Sequence, residues 1–111
     1  MSTIFGKILR GELPANIVYE NPHLIVIKDI HPVAPVHLLI IPRKEVPSIQ
    51  FLLEKDLPLM QEVVKAAQHV AKQFEVDDGY RLLTNHGEDA GQTVFHLHFH
   101  LIGGRKLGPL A

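Results

Sequence analysis

The 111-residue chain contains no cysteine and no tryptophan, and only two tyrosines. Without cysteine there is no disulfide framework, no thiolate nucleophile and no cysteine-ligated metal. No field of one sign is present either. Eleven Lys and Arg face twelve Asp and Glu for a formal charge of −1, and the cations are scattered, which weighs against nucleic acid as the main partner. Long apolar runs are also missing. The stretch near the start is interrupted by Lys7, Arg10 and Glu12, so neither a signal peptide nor a membrane span is expected, and the cytoplasm is the default location. Repeats, low-complexity tracts and linkers are absent. At 46% hydrophobic and 21% charged residues, residues 1–111 read as a single compact domain. Its core is adequate but not generous, so burying further surface in a dimer would help.

What the chain does have is histidine. Eight are present, and three fall in the run His96-Leu97-His98-Phe99-His100-Leu101-Ile102. Alternation of imidazole and apolar side chains has the period of a half-buried strand, on which successive side chains point to opposite faces. Leu97, Phe99 and Leu101 are expected in the core and the three histidines together on a face left unburied. Two plainer readings compete. Three histidines could sit on an ordinary solvated strand, although Thr, Lys, Glu and Ser are the usual residues there. A zinc site is the other, but the first and third histidines would lie about 13 Å apart by strand rise, too far to converge on one ion without strain.

The residues leading into this run, Asn85-His86-Gly87-Glu88-Asp89-Ala90-Gly91-Gln92-Thr93-Val94-Phe95, combine glycines with a hydroxyl close to the first histidine. Glycine lets backbone N–H groups approach an anion, and Thr93 can donate a further hydrogen bond, so a loop of donors beside imidazoles suits a phosphate. An ordinary hairpin connection would use Gly and Asn as well.

Around these motifs the pattern predicts an α+β fold with a mostly antiparallel sheet. Ser2 or Thr3 caps a short helix carrying Ile4, Phe5, Ile8 and Leu9, stopped by Gly11 and Pro14. Strands are expected from Ile17 to Glu20, Leu24 to Asp29 and His37 to Ile41. A turn at Asn21-Pro22 joins the first two, and a rigid Pro-rich loop from Ile30 to Val36 delivers His37. Ser48 opens a helical turn. A longer helix follows from about Leu57 to Phe74, with Asp56 as N-cap, Pro58 in its first turn, and Met60, Val63, Val64, Ala67, Ala71 and Phe74 on one stripe. That stripe reads as core or dimer interface. Asp77-Asp78-Gly79 closes the helical region, Tyr80 to Thr84 makes a fourth strand, and the histidine run is the fifth.

Three ordered blocks carry a resemblance: Thr3-Ile4-Phe5-Gly6-Lys7-Ile8, Asp29-Ile30-His31-Pro32-Val33-Ala34-Pro35-Val36-His37, and Gly91-Gln92-Thr93-Val94-Phe95-His96-Leu97-His98-Phe99-His100 followed by Gly103-Gly104-Arg105. The chain resembles the histidine triad nucleotide hydrolases and transferases, closest to the branch of small dimeric nucleotide-binding proteins. His100, where the transferase branch carries Gln, favours a hydrolase.

The resemblance implies a five-stranded sheet with two main helices, paired in a homodimer so that two sheets join into one of ten strands. It implies a purine nucleoside phosphoramidase that cleaves nucleoside monophosphate–amine conjugates or aminoacyl adenylates through a nucleotidyl-histidine, without cofactor or metal. His98 would be the nucleophile, a role a neutral imidazole can fill near neutral pH. His100 would neutralise the phosphoryl oxygens or assist the leaving group, His96 would orient the nucleophile, and His37 would line the phosphate pocket. Thr93 would reach the phosphate or leaving group. Asp29, followed by Ile30, would bind the ribose hydroxyls. Asn85 and the backbone of Gly91, Gln92 and Thr93 would complete the phosphate shell, and Phe5, Ile8 and Ile27 would wall the base. His23, His31, His69 and His86 are left as surface histidines. Hydrolysis of dinucleoside polyphosphates, or a nucleotide-binding scaffold with incidental hydrolysis, are the alternatives. The C-terminal Lys106-Leu107-Gly108-Pro109-Leu110-Ala111 differs from the aromatic, Pro-rich tail of many relatives, which bears on the choice of amine.

Overall fold

The computed structural model describes residues 3–111, so Ser2 lies outside the described residues. Helix α1 (Ile4–Leu9) is followed by strands β1 (Ile17–Glu20), β2 (Leu24–Lys28) and β3 (Val36–Pro42). Helix α2 (Pro58–Gln73) and strands β4 (Tyr80–Leu83) and β5 (Phe99–Gly103) complete the regular elements, with single 3-10 turns at Ile49–Phe51, Glu54–Asp56 and Glu88–Ala90. The strands form one sheet in the order β1-β2-β3-β5-β4, antiparallel throughout. This is the expected α+β architecture.

β2 and β3 are runs of Leu, Ile and Val buried on both faces, as suits strands covered from two sides. On one face, Leu24, Val26, Leu38, Ile40, Leu97, Phe99 and Leu101 pack against Val63, Ala66, Ala67, Val70 and Ala71 of α2. On the other, Ile25, Ile27, Leu39 and Ile41 pack against Phe5 of α1, with Ile8, Leu9 and Val94 partly buried beside them. α1 is capped as expected, the Thr3 hydroxyl accepting from the Gly6 N–H at 3.0 Å.

Four expectations are corrected. Val64 is 49% exposed, and Ala66 and Val70 take its place in the core. The buried stripe runs through residues 63, 66, 67, 70 and 71, and a residue one step on from Val63 is rotated about 100° away from it. Asp56 is not the cap of α2, whose N-cap position is Leu57 with Pro58 at the first helical position. Its carboxylate instead accepts from the Leu53 N–H, closing the turn before the helix, and pairs with Lys44. β3 starts at Val36, so His37 belongs to the strand, opposite Ile102, and the rigid loop ends before it.

The fourth correction concerns the histidine run. Ladder pairing begins only at Phe99, so of the three histidines His100 alone lies in β5, opposite Leu39 and Leu83. Leu97, Phe99 and Leu101 are buried as expected, but His96 and His98 are only 2% and 9% exposed. The sheet is covered on its second face too, which puts these rings in the interior.

Candidate active site

Each ring in the cluster is held by a specific partner. His96 Nε2 lies 2.8 Å from the carbonyl of Pro42 at the end of β3. His98 Nδ1 lies 2.7 Å from the carbonyl of His96. A carbonyl only accepts, so both ring nitrogens carry hydrogen, and in the neutral His98 ring the lone pair is left on Nε2. The backbone is fixed from the other side, where Thr84, just after β4, donates its hydroxyl to the His98 carbonyl at 2.7 Å. Phe5 packs edge-on to the His98 ring at 4.8 Å, and the His100 ring lies 5.2 Å away.

Asp29 immediately follows β2, and its N–H donates to the His37 carbonyl. One carboxylate oxygen accepts from the His31 N–H at 2.8 Å, and the other lies 3.3 Å from His37 Nε2. His37 Nε2 is 2.9 Å from His100 Nδ1. Burial pushes His98 below its ordinary range; the bond to the His96 carbonyl opposes this, the His96 ring adds to it, and Asp29 opposes it. Burial, together with the neighbouring His98 and His37 rings, pushes His100 down to about 4 against the pull of Asp29. Both rings are therefore neutral at pH 7, the form a nitrogen nucleophile needs.

A cavity of about 500 Å³ opens over these groups. Among the residues singled out from the sequence, Phe5, Ile8, Ile27, Asp29, Ile30, Asn85, Gly91, Thr93, His98 and His100 line it. His37 and His96 stand behind the wall, contacting the lining histidines. Gln92 is placed differently. Its side chain is 4% exposed and is committed to backbone: it accepts from the Gly87 N–H at 2.9 Å and donates to the carbonyls of Pro47 at 2.8 Å and Val94 at 3.1 Å. Gly91, at φ +92°, takes the left-handed conformation that reverses the chain before Thr93.

The wall also uses residues that sequence patterns passed over: Leu13, Pro14, Ala15 and Asn16 from the connection after α1, together with Lys28, Leu39, Val94 and His31. The first group carries only the signal of a helix stop. His31 could have been found from its position two residues after Asp29, where an Asx-type turn places the residue's N–H on the carboxylate. His86 has a partner as well, its Nδ1 lying 2.7 Å from the Ser48 hydroxyl. A larger cavity of about 650 Å³ lies across Thr93 and Val94 but holds none of Asp29, His98 and His100, so the smaller one carries the chemistry.

Asp29, His37 and His100 each bring one potential ligand atom within 4.8 Å of the others, the one such group among the described residues. His37 Nε2 is already hydrogen-bonded to His100 Nδ1 and lies 3.3 Å from the Asp29 carboxylate, and a resident cation would have to break that hydrogen bond. Beside the free Nε2 of His98, the cavity offers hydrogen-bond donors at Asn85, Gly91 and Thr93, an acceptor at Asp29, and an apolar slot between Phe5, Ile8 and Ile27. A phosphoryl group carrying a hydroxylated, flat apolar substituent fits that distribution.

The HIT domain, the family of histidine triad proteins, matches residues 10–107, and the chain belongs to that family. It is 48% identical over 109 residues to a HIT-like protein of Chlamydia pneumoniae, covering 98% of this chain and 99% of the relative. Its fold superposes on a HIT family hydrolase from Clostridium thermocellum with a TM-score of 0.93 at 47% identity, covering 97% of this chain and 95% of that one. A histidine triad nucleotide-binding protein from Candida albicans is similar at a TM-score of 0.82 and 27% identity, covering 99% of this chain and 86% of that one.

Proposed function

We propose that the protein is a purine nucleoside phosphoramidase that hydrolyses conjugates between a nucleoside 5′-monophosphate and an amine. The observation that carries this is the bond between His98 Nδ1 and the His96 carbonyl, which leaves the Nε2 lone pair as a nucleophile beside His100, Asn85 and Thr93. The hydrolase and nucleotide-binding names of the relatives above support it.

In the first half-reaction His98 Nε2 attacks phosphorus, the P–N bond breaks, and the amine leaves with one proton taken from the solvent. The nucleotidyl-histidine keeps its Nδ1–H on the His96 carbonyl, which stabilises the positive charge of the substituted ring. In the second, water attacks phosphorus, the N–P bond breaks, His98 regains its lone pair, and the proton is returned. His100 and Thr93 face the phosphoryl oxygens and leaving group, while Asp29 takes the ribose hydroxyls. His37 and His96 act through the rings they contact.

The reading includes a cytoplasmic homodimer. β4 is an edge strand, Leu82 on it is 38% exposed, and Val64 of α2 is 49% exposed, which supports joining two sheets edge to edge. No helix among the described residues is long and apolar enough to cross a membrane.

The test compares adenosine 5′-phosphoramidate with a dinucleoside tetraphosphate as substrates for the wild type and for His98→Ala. Faster P–N cleavage is expected, with a loss of at least about 10³-fold in the variant and an unchanged circular dichroism spectrum. Faster P–O–P cleavage, or an unaltered rate in His98→Ala, would overturn the proposal.

A further inference from the structure

We propose that the backbone N–H of Val33, held by Arg105, is a positioning group that sets the tautomers of His37 and His100, so that His100 turns an N–H rather than a lone pair toward the cavity. The idea rests on the phosphoryl chemistry proposed above.

A neutral imidazole has one donor and one acceptor nitrogen. The Val33 N–H donates to His37 Nδ1 at 3.1 Å, and a backbone amide has nothing else to offer that nitrogen. The His37 lone pair is therefore on Nδ1 and its hydrogen on Nε2. That Nε2–H faces His100 Nδ1 at 2.9 Å and the Asp29 carboxylate at 3.3 Å. Donation over the shorter contact makes His100 Nδ1 an acceptor and puts the His100 hydrogen on Nε2. The opposite assignment would set the Val33 N–H against a second N–H at a ring only 7% exposed, leaving a donor without an acceptor. The same count removes His37 from metal ligation, because its only lone pair is already used.

The Val33 side chain is 59% exposed, so what this residue contributes is its backbone. The segment N-terminal to His37 is clasped from the end of β5. Arg105 donates to the Val33 carbonyl at 2.9 Å, and Gly104 comes so close to Pro35 that a Cβ would sit 2.9 Å from the proline Cβ. The strand carrying His100 thus continues into the residues that hold the loop fixing its tautomer.

The test has a spectroscopic and a kinetic arm. Nitrogen-15 NMR of the free wild-type protein at pH 8 is expected to show His37 and His100 both as the Nε2–H form, and an Nδ1–H form at either residue would overturn the proposal. Val33→Pro deletes the donor within a loop that already contains Pro32 and Pro35, whereas Val33→Ala keeps it. Val33→Pro is expected to admit the second His37 tautomer and to lower kcat on adenosine 5′-phosphoramidate about 10-fold with little change in KM. Val33→Ala should stay within about twofold, as befits retention of the hydrogen bond. Equal losses in both variants, or wild-type tautomers and kcat in Val33→Pro, would overturn it. Should Val33→Pro fail to fold, Arg105→Ala serves in its place. It is expected to mix the tautomers and slow turnover, with Arg105→Lys restoring part of both; unmixed tautomers would count against the clasp. Because the spectra require no turnover, an inactive wild type with the expected tautomers would refute the phosphoramidase reading alone, and an active one with the wrong tautomers would refute the tautomer assignment alone.

Discussion

Replacing Gln92 by Ala is expected to destabilise the protein by about 2–3 kcal/mol, on the basis of about 1 kcal/mol for each of three hydrogen bonds. The amide is buried and bonds to Gly87, Pro47 and Val94, which ties the loop that lines the site at Asn85, Gly91, Thr93 and Val94 to the separate segment at Pro47. Water reaches Pro47, which is exposed, so the orphaned groups are partly solvated and the loss falls short of the full penalty for buried unpaired groups. Urea unfolding followed by circular dichroism measures it, with the denaturant slope unchanged if the loss is one of native stability. Gln92→Glu sharpens the test. Its carboxylate can still accept from Gly87 but faces the two carbonyls without a donor, so it should lose at least as much at pH 8. Part should return as the pH falls, because the folded state then gains a proton that restores a donor. A loss below about 1 kcal/mol in Gln92→Ala, accompanied by a raised KM for nucleotide, would rule out this bracing role and make Gln92 a direct substrate ligand.

Two further outcomes follow from the same geometry. His98 is held below its ordinary value of 6.5 mainly by burial, so the nucleophile stays neutral through pH 6.5. The acid limb of kcat/KM for the free enzyme should break below that point, and a break above it would contradict the burial argument. Gly104→Ala puts a Cβ 2.9 Å from Pro35 at a φ of +95° and should cost about 1–3 kcal/mol in thermal unfolding. Gly108→Ala, with nothing within 4 Å, should be silent.

The alternation from His96 to Ile102 made Leu97, Phe99 and Leu101 legible as core, because period 2 is a local property of a strand. It left the burial of His96 and His98 illegible, since their neighbours come from far away in the chain: Phe5 of α1 packs on His98, and Pro42 at the end of β3 meets His96. The β-branched runs of β2 and β3 were similarly plain, whereas strand order is a long-range result. On α2, Val64 is more apolar than Ala66, yet the buried face runs through residues 63, 66, 67, 70 and 71, and Val64 lies about 100° away from it. Gln92 sits in a block that reads as a phosphate loop, and only the fold reveals that its amide meets Pro47 from a segment forty-five residues away. Donors and acceptors of that reach have no periodicity to betray them.

The most direct test of covalent histidine catalysis is intact-protein mass spectrometry after brief mixing with adenosine 5′-phosphoramidate and an alkaline quench. The expected result is a transient adenylyl adduct that maps to His98 by peptide fragmentation and is absent from His98→Ala. Turnover by the wild type with no adduct at any quench time, or an adduct that persists in His98→Ala, would contradict it.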